Sequence, residues 1–176
     1  MRTLSIAEAE RILNLKDLGL FFTEFNWQFP DPVPSNFLPV DSGRKVALSR
    51  TIANTLLDRG PVILWINETG IWGSSEHMDL FEKYRLAFGE KRSVRDAPVQ
   101  IFEPDGDRNS LISILSLALF FCWGFEIMNQ DRSLAMTVSH DEWIEYRFAP
   151  GQESFVSYFD QWLSPYLRPG PNELSS

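Results

Sequence analysis

Two histidines, His77 and His140, and a lone cysteine, Cys122, are the side chains best suited to acid–base or nucleophilic chemistry near neutral pH. Neither histidine has a second histidine or a cysteine at metal-ligand spacing, so no zinc site is expected. Cys122 stands at the end of the most apolar run in the chain, which favours an inert buried thiol over a nucleophile. The pattern G-x-S-x-G is absent, and any serine–histidine–carboxylate arrangement would have to be assembled by the fold. In His140-Asp141-Glu142 a carboxylate could orient an imidazole, although such triplets usually make exposed turns.

Other fragments stop short of a motif. Glu103–Asn109 opens like a calcium loop, but Ser110 stands where glycine is required and Ser116 where glutamate is required. Gly70-Ile-Trp-Gly73 lacks both the lysine of a phosphate loop and the spacing of a dinucleotide fingerprint. Lys91–Arg95 is a short basic run between Glu90 and Asp96 and reads as a solvated loop. No metal or organic cofactor is expected.

One site has a positional argument. Ligands gather beyond the carboxyl ends of central strands and near helix N-termini. Asn67, Glu68 and Thr69 leave an apolar strand, Trp72 lies in the following loop, and Ser74 and Ser75 open the next helix. With His140 and Asp141 these residues form the candidate ligand or partner site. Turn chemistry alone accounts for Asn67, Thr69 and Ser74, but a turn requires neither Glu68 nor Trp72.

The elements that must position these residues follow from periodicity. Ser5 caps a helix over about 6–16, and Phe21–Phe29 alternates like a half-exposed strand. Pro30, Pro32, Pro34 and Pro39 enforce an extended connector. Ser42 caps a helix over about 43–59 with Leu48, Ile52, Ala53, Leu56 and Leu57 inward. Val62–Ile66 is continuously apolar, as a strand covered on both faces should be. A helix over about 75–88 turns Met78, Phe81, Tyr84 or Arg85, and Phe88 inward, and Pro98–Phe102 is a weak strand. A helix over 107–123, capped by Asp107 or Asn109 and stopped by Gly124, is apolar on most of its circumference and should be buried. Phe125–Asn129, Ser133–Ser139 and Trp143–Phe148 predict an antiparallel meander, with a helix at Ser139-x-x-Glu142 as the competing reading. Phe155, Val156, Phe159, Trp162 and Leu163 form the last helical stripe.

The fold class is therefore α/β (mixed): a single domain over 1–166, its mixed sheet holding a central buried strand and a C-terminal meander, with helices packed on the sheet. Residues 167–176 are expected to be a flexible tail. The many rings (14 Phe, 6 Trp, 4 Tyr) are assigned to the core. A net charge of −8 opposes a phosphate backbone, so no nucleic-acid partner is expected, and suits a basic protein partner. The N-terminus has no signal-like apolar segment. The run Leu111–Trp123 is shorter than the roughly 18–20 residues of a membrane span. These features predict a soluble, cytoplasmic protein without a membrane partner, and a single cysteine excludes an internal disulfide. The reading favoured is an acidic, non-enzymatic protein-binding molecule, immunity-like or accessory. The alternative is a small cofactor-independent hydrolase or transferase working from loop 67–75 with His140 nearby. Oligomeric state is not legible.

Overall fold

The computed structural model describes residues 1–14, 18, 36–68, 76–149 and 151–168. The elements run β1 (Arg2–Leu4), α1 (Ile6–Leu13), β2 (Asn36–Phe37), α2 (Ser42–Leu57), β3 (Val62–Glu68), α3 (Glu76–Ala87), β4 (Val99–Phe102), α4 (Arg108–Phe120), β5 (Gly124–Asn129), β6 (Leu134–Val138), β7 (Trp143–Phe148) and α5 (Glu153–Leu163). The strands make one 7-stranded sheet in the order β1-β4-β3-β5-β6-β7-β2. This is the expected single α/β domain, with β3 in the sheet interior and β5–β7 as the meander. The segment Phe21–Phe29 and most of the proline connector lie outside the described residues.

Every ladder is antiparallel, where alternating strands and helices had suggested a mixed sheet. The reason is where the helical connections land. β4 and β5 flank β3 on opposite sides and both run against it, so they are parallel to each other without being neighbours. The short edge strands β1 and β2 were not expected, because so few residues show no periodicity.

The strand period of two divides the core between the sheet's faces. On one face Leu64, Ile66, Phe125, Ile127, Met136 and Tyr146 meet α2, α4 and α5. On the other, Ile63, Met128, Ala135, Val99 and Ile101 lie under Leu4, Ala9, Leu13 and Leu18. Rings fill much of the interior: Trp123, Phe81, Phe102, Phe125 and Phe159 are buried, and Phe148 and Phe159 pack edge-on at 5.4 Å.

α4 is pinned at both ends against an antiparallel α2. Arg108 donates to Asn54 Oδ1 (2.8 Å) and Asp58 Oδ1 (2.7 Å), while Lys45 Nζ donates to the Leu119 carbonyl (2.8 Å). A cation on those last carbonyls also opposes the helix dipole.

Several expected boundaries shift. α2 is capped by Asp41, whose carboxylate accepts from the Arg44 N–H, rather than by Ser42. The first helix ends at Leu13. Asp107 occupies the N-cap of α4, but its carboxylate is taken by the N-terminal ammonium and the Glu103 N–H. The stop of α4 is Cys122, at φ 51°, and not Gly124, which begins β5. The turn 139–142 leads into a strand, so the competing helix does not form. Trp162 and Phe88, placed inward by periodicity, are exposed. Of the expected tail, Arg168 exchanges backbone hydrogen bonds with Phe37 at 2.9 and 2.8 Å.

Leu115 lies on the fully buried face of α4 and Ser113 on its exposed face. Leu115→Ala should lower the unfolding free energy by about 2–5 kcal/mol in urea denaturation, while Ser113→Ala should stay within about 0.5 kcal/mol of wild type.

Candidate functional site

The end of β3 and the β6–β7 turn meet at one end of the sheet. Glu68 lies opposite Gly124 of β5, after a register shift between Ile66 and Glu68. The next ladder pairs Phe125 with Val138, which sets the turn Ser139–Glu142 just beyond Gly124. A Cβ on Gly124 would stand 2.3 Å from Glu68 Oε2. The bare backbone of Gly124 thus lets the Glu68 side chain cross β5 and reach His140, whose Nδ1 donates to Glu68 Oε2 at 2.6 Å. On the other side of the ring, Nε2 is 3.4 Å from Asp141 Oδ1.

The hydrogen bond that Glu68 accepts, helped by the charges of Glu68 and Asp141, holds the His140 pKa above the ordinary imidazole value. The shift favours the imidazolium form, in which both ring nitrogens donate.

His140, Asp141, Glu142 and Cys122 bound a shallow cavity of about 250 Å³. Glu142 and Cys122 both have left-handed backbone, at φ 63° and 51°, an uncommon conformation for these residue types. Glu142 anchors its surroundings: its Oε1 accepts from Lys45 Nζ at 3.2 Å and lies 3.9 Å from Cys122 Sγ. Its Oε2 is 3.8 Å from Arg168, and its backbone carbonyl accepts from the Leu38 N–H. Burial pushes the Cys122 thiol pKa up; Glu142 adds to this and Lys45 opposes it. Such a thiol is a weak nucleophile at neutral pH.

Beside this corner, on the sheet face that carries Glu68, Glu126 is opposite Trp65 on β3 and Thr137 on β6. Thr137 Oγ1 donates to Glu126 Oε2 at 2.6 Å. Burial pushes the Glu126 carboxyl up to about 8, against the Thr137 hydrogen bond and the charge of Arg147. Arg147 itself donates to Glu145 at 2.9 Å.

Of the residues singled out in the sequence, the fold joins Glu68, His140 and Asp141. Asn67 is exposed at the register shift. Thr69, Trp72, Ser74 and Ser75, and the His77 side chain, lie outside the described residues. Gly124 and Glu126 join this corner without any motif to mark them, while Glu142 falls in the triplet His140-Asp141-Glu142. Glu126 had a visible signal, a single carboxylate inside an apolar strand; Gly124 had none, because its role depends on a side chain 56 positions away in the sequence, the span from Glu68 to Gly124.

Among the described residues, no group of three or more histidine, cysteine or acidic side chains is placed to hold a metal ion. No family model, curated protein or solved structure matches the chain.

Two pH effects follow. Between about 4.5 and 8 the folded protein keeps a proton on Glu126 that the unfolded chain releases, so this group's contribution to stability falls as pH rises. Glu126→Gln should therefore gain stability relative to wild type on going from pH about 5 to pH about 8, measured by denaturant unfolding at both. For His140 the ion-pair stabilisation is fully present below 6.5 and is lost as pH rises through the raised folded value. Gly124→Ala, by displacing Glu68, should return the His140 titration in NMR towards the ordinary imidazole value.

Proposed function

We propose that this protein binds a basic protein partner, without catalysis, through the acidic corner formed by Glu68, Asp141 and Glu142. The observation that carries the reading is the composition of the cavity rim. The His140 ring is paired with Glu68 and lies beside Asp141, whose side chain remains 60% exposed at the mouth. A lysine or arginine side chain suits the exposed carboxylate of Asp141 at the mouth of this recess. The overall charge of −8 would steer such a partner towards the surface. Affinity capture from native cells tests the reading. Wild type should retain a basic protein in a salt-sensitive manner, and Asp141→Arg should lose it without a change in melting temperature. Capture indifferent to salt and to Asp141→Arg would overturn the proposal.

A second reading, a small hydrolase or transferase, draws on one specific feature: Cys122 and the Glu68-oriented His140 share a cavity. That is the membership of a nucleophile–base–carboxylate set. The pKa directions oppose it, since a base should be neutral and a nucleophilic thiol depressed. Iodoacetamide alkylation of Cys122 against pH separates the two. The binding reading expects a single rise above the ordinary thiol range, faster in Glu142→Gln, where the carboxylate that raises the thiol is gone. A neutral-pH reactivity plateau abolished by His140→Ala would favour the enzyme.

A further inference from the structure

Helix α4 buries one face and leaves another open. Leu111, Ile114, Leu115, Ala118 and Leu119 turn into the core. The opposite face, at helical spacing, carries Asn109, Ile112, Ser113, Ser116, Leu117 and Phe120. Asn109, Ser113 and Phe120 are exposed, and Ile112, Ser116 and Leu117 are half-buried. The outward face of a helix is normally rich in charge. Here no charged side chain occurs between Arg108 and Glu126, in a chain that is 23% charged. The two serines add little polarity, because the Ser113 and Ser116 hydroxyls donate back to the Asn109 and Ile112 carbonyls, each at 2.8 Å.

The stripe continues at both ends. Near its start the Tyr84 hydroxyl donates to the Ser110 carbonyl, and the exposed ring of Phe88 packs on Tyr84 at 4.9 Å. At its far end Phe120 stands two residues before Cys122, which shares the acidic cavity with His140, Asp141 and Glu142. In that cavity Lys45 and Arg168 are engaged by Glu142, while the Asp141 side chain is mostly exposed. An uncharged ridge therefore leads into open negative charge.

We propose that this face of α4 receives an amphipathic helix of a partner protein, its apolar side on the stripe and a lysine or arginine beyond it on Asp141. This docking mode rests on the reading of the acidic corner as the site of a basic partner, and it adds the partner's form. From Ile112 to Phe120 the stripe runs about 12 Å, at roughly 1.5 Å per residue, which matches two to three turns of a second helix. Serines flanked by Ile112, Leu117 and Phe120 leave shallow grooves for the ridge of such a helix. A second copy of this chain fits poorly, since each copy carries a charge of −8.

Titration calorimetry and amide chemical shifts on the full chain test the proposal. The probe is a helical peptide of about three turns, with leucines at i, i+3, i+4 and i+7 and lysines at both ends. It should bind saturably and shift the amides of 112–120 and 139–142. Replacing its leucines by serine, or introducing Ser113→Asp in the protein, should each weaken binding about tenfold or more. Ser113→Asp is an exposed change that adds negative charge, so attraction by charge alone would hold or strengthen in it. Phe120→Ser should weaken binding as well. No saturable binding of the peptide would overturn the docking mode. Binding lost in Asp141→Arg but indifferent to Ser113→Asp and to the leucines would overturn it too, and would leave the acidic-corner reading standing. Binding sensitive to Ser113→Asp but indifferent to Asp141→Arg and to lysine-to-glutamate peptides would overturn both. Concentration-dependent dimers in sedimentation, abolished by Ser113→Asp, would assign the stripe to a second copy and overturn the partner helix.

Discussion

The junction between α4 and β5 is the constraint on which the candidate site depends. Helix and strand are joined without slack. The Trp123 N–H returns to the Ala118 carbonyl at 2.9 Å and the Phe121 N–H to Leu117 at 3.0 Å, with Cys122 left-handed between them. This is the geometry of a helix C-terminus closed by a reversing residue, a role glycine usually fills. The indole of Trp123 is 1% exposed and packs on Phe81 at 5.4 Å. With α4 held against α2 and Trp123 held in the core, the register of β5 has little freedom. That register puts Gly124 opposite Glu68 and so decides whether Glu68 can reach His140.

Charge is organised differently at the acidic corner and beside α3. In the acidic corner, cations serve to hold carboxylates in place: Lys45 and Arg168 contact Glu142, and the His140 ring sits between Glu68 and Asp141. Beside α3 the roles reverse, and acids hold cations, with Glu90 and Glu8 both on Arg92. The exposed pairs among these contribute little to stability, typically about 0–1 kcal/mol each. Their effect is on the field a ligand meets. Arg85 is the exception, being buried and bonded only to backbone carbonyls.

Periodicity made the main elements legible. The apolar run Val62–Ile66 and the stripe Leu48, Ile52, Leu56 are buried where a sheet interior and a helix inner face require. The alternation of Ile144, Tyr146 and Phe148 with Glu145 and Arg147 marked β7 and its core face. Helix 75–88 left Tyr84 and Arg85 as rivals for one inward position. The fold buries Arg85 and turns the Tyr84 hydroxyl to the Ser110 carbonyl at 2.6 Å, a choice set by which acceptors the neighbouring segments offer. Short strands escaped notice because their pairing partners, Val99–Ile101 for β1 and Trp143–Ile144 for β2, lie far along the chain.

By itself, then, the sequence determined the class of fold, the burial of α4, the meander and the grouping of Glu68 with His140 in one candidate site. These depend on local pattern, which a linear chain displays directly. Only the tertiary structure decided that Glu68 contacts His140 across Gly124, that Cys122 and Glu142 share their cavity, and that the basic run 91–95 folds onto a buried Arg85. Each of these rests on strand register or on side chains meeting from distant segments. Residue type and local spacing carry no record of either.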